Sequence, residues 1–298
     1  MSFQPENRPF EFVDWLLLIA AAGIWGSSFL FMDIALRSEH PGLITWLRPA
    51  FGFIALIFFP AARKPVELFD WGKLLVLGVT WMALPFTLFP LAQQWIDSSI
   101  AGMLNSFMPV ATVVIGAAAF EVSIQRIQIL GILVGIAGIL MIGFPTAAGS
   151  DASALGVVFV VVAVSCYGLA ANVAGPLQRK YGSLAVLSRV LAIATIITTP
   201  FGIFGLSRSE WSAAAILANL AVGIGGTGLA YAAAATLNGR VGAVRMSIVT
   251  YLIPVVASLL GVLLLGEALG GLEVAGAVIL IAGAWLTSRT DRQLNSSS

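Results

Sequence analysis

Long apolar runs separated by short polar turns make up almost the whole chain. From residue 13 onward the polar residues gather in brief clusters between these runs. A helix needs about 20 apolar residues to cross a bilayer, because it rises only 1.5 Å per residue. The pattern predicts ten such helices, over residues 13–36, 43–62, 71–94, 98–120, 126–144, 155–177, 183–206, 211–237, 242–266 and 270–288.

A short motif in the fourth predicted span returns in altered form in the ninth. Residues 105–110 read NSFMPV and residues 250–255 read TYLIPV, so Pro109 and Pro254 occupy matching places. A proline removes one helical hydrogen bond and clashes with the preceding turn. Inside a membrane such a break is tolerated only where protein or a water-filled cavity surrounds it, so matched breaks indicate a central substrate site. Glycines follow both prolines at equal distances, namely Gly131 and Gly138 after the first, Gly276 and Gly283 after the second.

Further correspondences divide the chain into two related halves, residues 1–150 and 151–298. Trp25 matches Tyr167, each followed by glycine, and Arg48 matches Arg189. With five predicted spans per half, an odd number, the second half must enter the membrane from the opposite side. The sequence therefore predicts an all-α membrane protein in which ten transmembrane helices form two inverted five-helix repeats around a central cavity.

Basic residues fall mainly on one side of the predicted membrane. With the N-terminus inside, the inner segments hold eleven of the fifteen lysines and arginines, while the outer loops hold only Arg37 and Arg208. Cytoplasmic loops carry such an excess, so both termini are predicted to be cytoplasmic. The first apolar run is too long for a secretory signal, and we expect it to be retained as a span.

Composition narrows the class of function. The chain is 59 % hydrophobic and 10 % charged, with a formal net charge of +1, and its mean hydropathy is +0.99. We therefore expect the lipid bilayer as its surroundings and no nucleic acid as a partner. The sequence has no His-Glu-x-x-His motif, Cys/His cluster, nucleophile with a histidine base or phosphate-binding loop. We predict neither an enzyme nor a metal or cofactor site.

Three motifs carry a family resemblance. Residues 25–29 (WGSSF), residues 105–109 followed by Glu121, and residues 251–254 followed by Glu267 resemble the ten-helix EamA-type branch of the drug/metabolite transporter superfamily. Within that branch the chain is similar to YddG-type exporters, which move aromatic and other neutral amino acids out of the bacterial cytoplasm. The resemblance implies an inner-membrane basket of ten helices, with a substrate cavity lined by spans one, three, four, six, eight and nine.

Aromatic and polar residues near the predicted breaks are the candidates for the substrate site. An indole can stack on an aromatic solute, and hydroxyl groups can form hydrogen bonds with it. The alternative role of these residues is helix packing, because small polar residues occur wherever membrane helices approach closely. We predict that aromatic residues contact the solute side chain, while Asn105, Ser106 and backbone groups freed at the prolines hold its zwitterionic end. The candidate set is Trp25, Ser28, Trp81, Asn105, Ser106, Tyr167, Tyr231, Thr250 and Tyr251.

Helix breaks are predicted at Pro85, Pro109, Gly226 and Pro254, where a gating helix would bend. The glycine-rich run around Gly226 fits either a flexible gate or close helix packing, and the sequence leaves both readings open.

Four charged residues are predicted to be structural. Arg48 and Arg189 each cost roughly 2.5 to 3.5 kcal/mol inside a membrane. They could bind a substrate carboxylate, but their symmetric placement away from the midplane favours hydrogen bonds to backbone carbonyls or snorkelling to the nearer surface. Glu121 and Glu267 stand at span ends, where each is predicted to cap the next helix.

The leading hypothesis is a monomeric secondary transporter that exports neutral or aromatic amino acids by alternating access. An exporter of drugs or other metabolites from the same superfamily is the first alternative. A non-transporting membrane scaffold or receptor is the alternative from a different class.

Overall fold

The computed structural model describes residues 10–121, 124–148, 150–241, 246 and 248–288, and no strand occurs among them. The α-helices are α1 (Phe12–Leu36), α2 (Pro41–Ile57), α3 (Trp71–Leu77), α4 (Leu84–Ala92), α5 (Ser98–Asn105), α6 (Met108–Phe120), α7 (Arg126–Ala148), α8 (Asp151–Tyr181), α9 (Ser183–Leu206), α10 (Ala213–Leu220), α11 (Ala230–Val241), α12 (Ile248–Leu260) and α13 (Gly271–Thr287). Wider π-helical segments join α3 to α4 (Gly78–Ala83), join α10 to α11 (Ala221–Leu229) and follow α12 (Gly261–Leu265).

Seven helical stretches are long and apolar enough to cross a membrane, and the bent pair α5–α6 makes an eighth. Helices α2 and α13 are also apolar but shorter, at 17 residues each. Large apolar side chains face outward, and Phe144, Ile196 and Leu263 are 74 %, 72 % and 73 % exposed. A surface of this kind is unfavourable in water and suits contact with lipid tails.

The two repeated prolines affect their helices differently. Pro109 lies in the first turn of α6, where no N–H is needed, and α5 and α6 meet at an angle of 43°. Pro254 lies buried inside α12, which continues without interruption from Ile248 to Leu260. The predicted break at Pro254 is therefore wrong. A membrane helix tolerates one lost hydrogen bond when neighbouring helices surround the site.

Pro85 and Gly226 both belong to irregular helix. Pro85 stands in the first turn of α4, directly after the π-helical segment Gly78–Ala83. Gly226 lies within the π-helical segment between α10 and α11. Such segments replace i→i+4 pairing by i→i+5 pairing and often mark functional positions in helices.

The repeated glycines pack α7 against α13. A β-carbon on Gly138 would lie 2.5 Å from the backbone nitrogen of Leu280, and one on Gly131 would lie 2.5 Å from that of Thr287. A β-carbon on Gly283 would lie 2.8 Å from the carbonyl oxygen of Gly131. Only glycine permits this approach. Because later positions on α7 face earlier positions on α13, the two helices run antiparallel.

Helices α2 and α9, which carry the matched arginines, also run antiparallel. Near the start of α2, Gly42 packs against the backbone of Phe201, late in α9. Beyond the end of α2, the carbonyl of Ala62 accepts a hydrogen bond from Arg189, early in α9. Two corresponding pairs of helices therefore run in opposite directions.

Glu267 caps a distant helix rather than the next one, which corrects the prediction. One carboxylate oxygen accepts from the backbone N–H and the hydroxyl of Ser98, at 2.8 and 2.7 Å. The other accepts from the backbone N–H of Ser99 at 3.0 Å and from its hydroxyl. These serines form the first turn of α5, where the helix has unpaired N–H groups and favours negative charge.

Glu121 does not cap the next helix either, which corrects the second prediction of this kind. It ends α6 in the left-handed conformation, with φ 55°, and its side chain is exposed. Gly266 ends the corresponding segment of the other half with φ 71°. Glu121 thus matches Gly266 in backbone role rather than Glu267, which accounts for the one-residue offset between the two glutamates.

Candidate functional site

A cavity of about 320 Å³ lies between helices from both halves of the chain. Its walls come from α1, α2, α4, α5 and α6 and from α8, α9, α11 and α12. It extends to Gln178, Ser183 and Asn238, at the end of the molecule where α8 and α11 end and α9 begins. Seven of the nine predicted substrate-site residues line it, namely Trp25, Ser28, Trp81, Asn105, Tyr167, Tyr231 and Thr250.

Aromatic rings form much of the wall. Tyr231 makes edge-to-face contacts with Trp25 and Trp81, with ring centroids 5.1 and 5.8 Å apart. Tyr167 stacks on Phe89 at 6.1 Å. Rings that contact one another in this way give the cavity a largely aromatic wall, with the hydroxyl groups of two tyrosines as polar points.

Trp25 bridges to the π-helical segment of the second half. In an α-helix the N–H of Ala230 would bond the carbonyl of Gly226, but here it bonds Gly225, one residue earlier. The carbonyl oxygen of Gly226 accepts instead from the indole nitrogen of Trp25, at 2.9 Å. The helix irregularity thereby fixes the orientation of a cavity-lining ring.

The glycine after each matched aromatic residue lets α1 and α8 approach the helices that carry the repeated prolines. A β-carbon on Gly26 would lie 2.5 Å from the β-carbon of Val256 in α12. One on Gly168 would lie 2.8 Å from the carbonyl carbon of Ala111 in α6. In both motifs the aromatic side chain lines the cavity and the glycine packs against a helix. The two motifs therefore have the same structural role.

Asn105 and Ser106 are neighbours with different surroundings. Asn105 is the last residue of α5 and lines the cavity, and Pro109 has no N–H to donate to its carbonyl. Ser106 is buried outside the cavity lining, and its hydroxyl has no hydrogen-bond partner among the described residues. The sequence predicted Ser106 in the cavity wall, but the structure places it outside the lining, because adjacent residues point in different directions at the end of a helix.

Thr250 and Tyr251 divide in the same way. Thr250 lines the cavity, whereas Tyr251 is absent from the described lining. The hydroxyl of Tyr251 donates to the hydroxyl of Ser288 at 2.7 Å, beyond the end of α13. The sequence predicted Tyr251 in the cavity wall as well, but the structure places it outside the lining.

Arg48 lines the cavity although its side chain is almost fully buried. Its Nε donates to the hydroxyl of Thr227 at 3.3 Å, and its Nη1 approaches the sulfur of Met32 at 3.4 Å. The guanidinium carbon lies 3.9 Å from the centre of the Phe86 ring. No described carboxylate or backbone carbonyl pairs with it, so the structural role predicted for Arg48 is not what its contacts indicate.

Several lining residues carried no distinctive sequence signal. Met32 and Phe89 look like ordinary apolar residues within long apolar runs. Gln178 and Asn238 stand near predicted cytoplasmic ends, where polar residues are common. Their place in the wall follows from how the helices pack. Among the described residues, no group of three or more His, Cys, Asp or Glu could hold a metal ion.

Comparison with known proteins gives a family match over most of the chain. The model of the EamA-like transporter family matches residues 14–144 and again residues 154–289. A "Probable amino-acid metabolite efflux pump" of Salmonella typhimurium is 27 % identical, over 92 % of this chain and 94 % of that protein. The Escherichia coli K12 protein of the same name is 25 % identical over the same shares. An "Uncharacterized transporter" of Archaeoglobus fulgidus is 23 % identical, over 92 % of this chain and 98 % of that protein.

A solved structure shares the fold. One crystal structure of a protein superposes with a TM-score of 0.66 at 20 % identity, covering 94 % of this chain and 98 % of the other.

Proposed function

Because this chain belongs to the EamA-like transporter family, we propose that it exports neutral and aromatic amino acids and related small metabolites across the bacterial inner membrane. The observation that carries the proposal is the cavity of about 320 Å³, whose walls come from both halves of the chain. Its size and its mixture of aromatic rings with a few polar groups are typical of small-molecule sites.

The architecture we propose is ten transmembrane helices in two inverted repeats, residues 1–150 and 151–298. The family model matches once in each half. The 17-residue helices α2 and α13 fall within the range of about 17 to 25 residues that can span a bilayer. The antiparallel packing of α7 with α13 and of α2 with α9 supports the inversion.

Transport proceeds by alternating access, with each half rocking against the other around the cavity. The cavity reaches the end of the molecule near Gln178 and Asn238, which is cytoplasmic in the predicted orientation. At the opposite end Glu267 ties the second half to Ser98 and Ser99 of the first. We propose that this arrangement is an inward-facing state, ready to load a solute from the cytoplasm.

Cytoplasmic termini are supported by the distribution of basic residues, including Arg179 and Lys180 near the open end of the cavity. Four of the basic residues counted for the inner side, Arg8, Arg245, Arg289 and Arg292, lie outside the described residues.

Amino acids are proposed as solutes for two reasons. Two relatives bear the name amino-acid metabolite efflux pump. The cavity also combines an aromatic wall, which suits an apolar side chain, with the amide of Asn105 and the carbonyl beside it, which suit a polar end. The protein acts as a monomer with a small-molecule substrate and the bilayer as its partners, and it needs no cofactor.

Two rivals make different predictions. An exporter of drugs or other metabolites would accept lipophilic cations in the same cavity. A non-transporting scaffold or receptor would show no flux of any solute across the membrane, and no solute would pass through the space between its halves.

Counterflow in proteoliposomes tests the proposal. Vesicles loaded with unlabelled L-phenylalanine are expected to accumulate external radiolabelled L-phenylalanine, whatever ion coupling exists, and unlabelled leucine and methionine should compete. Competition by tetraphenylphosphonium but not by amino acids would favour the drug exporter. Vesicles that accumulate none of the twenty amino acids would contradict the proposed function.

A further inference from the structure

We infer that the guanidinium group of Arg48 binds the carboxylate of the transported solute. The cavity would then accept solutes that combine an anionic group with an apolar or aromatic body. The inference rests on the proposed transport through this cavity, and it adds the chemical class of the solute. It is carried by a buried cation in the cavity wall with no anion beside it among the residues that the structure describes.

The contacts of Arg48 leave its charge uncompensated within the described part of the chain. Arg48 is 7 % exposed, and its polar contacts are one hydroxyl, of Thr227, and one thioether sulfur, of Met32. The Phe86 ring lies against the guanidinium plane. An arginine stays charged in proteins, and burying an unpaired charge is costly. A solute anion would supply the missing partner.

Arg189, the matching residue of the second half, shows what a structural arginine looks like here. It donates to the carbonyl of Ala62 and to the hydroxyl of Ser188, the latter at 2.9 Å. It also reaches the carbonyl of Arg63 at 3.4 Å. The carbonyl groups that accept these bonds lie just after the end of α2. Arg189 is not among the described residues that line the cavity. The two arginines share a sequence position in the repeat but not a role.

The charges of the cavity-lining residues also favour binding of an anion at Arg48. Among the described residues that line the cavity, Arg48 alone carries a charge, and no aspartate or glutamate stands with it. A single cation in surroundings of low dielectric attracts an anion and repels a second cation. Lipophilic cations without a carboxylate should therefore bind poorly, which separates this protein from a cation-drug exporter.

The surroundings of Arg48 also define the rest of the solute. Tyr167 and Tyr231 line the same cavity as Arg48, and Trp81 lies against Tyr231. A carboxylate bound at Arg48 would place the rest of a small solute among these rings. Asn105 offers oxygen acceptors for an ammonium group. A neutral amino acid with an apolar or aromatic side chain meets all three requirements.

Acid and amide pairs test the inference on the unaltered protein. Apparent Kd values would be obtained from the ligand-dependent rise in Tm of the purified protein for L-phenylalanine and L-phenylalaninamide, for L-leucine and L-leucinamide, and for 3-phenylpropionate. Each amide should bind at least about tenfold more weakly than its acid, because it lacks the charge-assisted bond to arginine. An amide that binds as tightly as its acid overturns the inference.

Substitutions of Arg48 then test whether the preference for acid over amide arises at this residue. In Arg48→Gln the preference for acid over amide should fall to about onefold, and in Arg48→Lys it should persist in part, since the charge remains but the bidentate geometry is lost. Arg189→Gln is the matched control and should keep the wild-type preference. A folded Arg48→Gln protein that keeps the full preference overturns the inference, and the comparison of ligands on the wild type stands even if the variants do not fold.

Failure of the inference can be told apart from failure of the proposed function. Amino-acid flux without discrimination between acid and amide would leave the proposed function standing and overturn the role of Arg48. Binding of 3-phenylpropionate that depends on Arg48, without binding of any amino acid, would support the anion site and contradict amino-acid export. If none of the acids binds, the inference is overturned.

Discussion

The indole nitrogen of Trp25 donates a hydrogen bond to the carbonyl oxygen of Gly226, at 2.9 Å, across the two halves of the chain. The acceptor is available because the π-helical segment shifts the partner of Ala230 to Gly225. A local irregularity in one half thus orients an aromatic residue of the other at the cavity wall.

Trp25→Phe should lower stability by about 1 to 3 kcal/mol. The phenyl ring keeps the aromatic surface but leaves the carbonyl of Gly226 without its donor, and a buried unpaired group carries that cost. The measurement is Tm of the purified protein. Trp211→Phe is the control, because Trp211 is 59 % exposed and should tolerate the change. Equal Tm values for both variants would show that the bond contributes nothing.

The hydrogen bond between Trp25 and Gly226 could not be predicted from the sequence, although other features of the site could. The aromatic-glycine motifs were visible because they repeat, and the bend at Pro109 was visible because proline lacks an N–H. The π-helical segments have no such signature, so the acceptor for Trp25 could not be predicted. The uninterrupted helix at Pro254 was missed because the surrounding helices, rather than the residue itself, decide whether a proline breaks a membrane helix.

The charged residues illustrate the same limit. Arg48 and Arg189 look equivalent in the repeat, yet one faces the cavity and the other bonds backbone carbonyls. Glu267 bonds Ser98, 169 residues away. Distant partners of this kind depend on packing between the halves, which local sequence patterns do not encode. Residues paired with the backbone nearby are easier to predict.

Glu267→Gln should loosen the closed end of the cavity. The variant loses the negative charge at the start of α5, and loss of a helix cap costs about 0.5 to 2 kcal/mol. In a Cys166→Ser background, a cysteine at Ala101, which is 0 % exposed, should react faster with a membrane-impermeant maleimide added outside intact cells.

Glu273→Gln is the matched control for that labelling experiment. Glu273 caps its own helix, accepting from the backbone N–H of Gly270 at 2.6 Å, and its loss should leave labelling at position 101 unchanged. Gly261→Ala should act like Glu267→Gln, because its β-carbon would overlap the Glu267 carboxylate. Unchanged labelling in both Glu267→Gln and Gly261→Ala would rule out the contact as a closure of that end.

Gly283→Ala should destabilise the packing of α7 against α13. Its β-carbon would collide with the backbone of Gly135 and lie 2.8 Å from the carbonyl oxygen of Gly131. Overpacking of this kind typically costs about 1 to 3 kcal/mol, measurable as a lower Tm. Gly72→Ala, where a β-carbon meets nothing within 4 Å, should leave Tm the same or raise it. A stable Gly283→Ala protein would contradict the glycine interlock.

Glu39→Gln should raise stability at neutral pH and lose that advantage in acid. Glu39 lies in the loop between α1 and α2, and its carboxylate is buried beside Asn219 of α10. Burial raises the pKa of this carboxyl above its ordinary value of 4.5. The contribution of Glu39 to the stability of the wild type is therefore most favourable where Glu39 is protonated, and it becomes less favourable as pH rises from about 4.5 through the higher pKa of the folded state.

Thermal unfolding at a series of pH values tests the effect of Glu39. The difference in Tm between Glu39→Gln and wild type should grow as pH rises and disappear at low pH. Glu210→Gln, at an exposed position, should show no such trend. A Glu39→Gln variant that is less stable than wild type at neutral pH would mean that the charge is compensated in the folded state.

The most direct test of transport through this cavity compares two neighbouring residues in the counterflow assay. Asn105 lines the cavity and Ser106 is buried beside it, outside the lining. Asn105→Ala should reduce the initial rate of L-phenylalanine counterflow about fivefold to tenfold, the effect of losing roughly one hydrogen bond to the solute, while Ser106→Ala should leave the rate unchanged. Equal rates for Asn105→Ala and wild type, or a loss confined to Ser106→Ala, would contradict passage of the solute through this cavity.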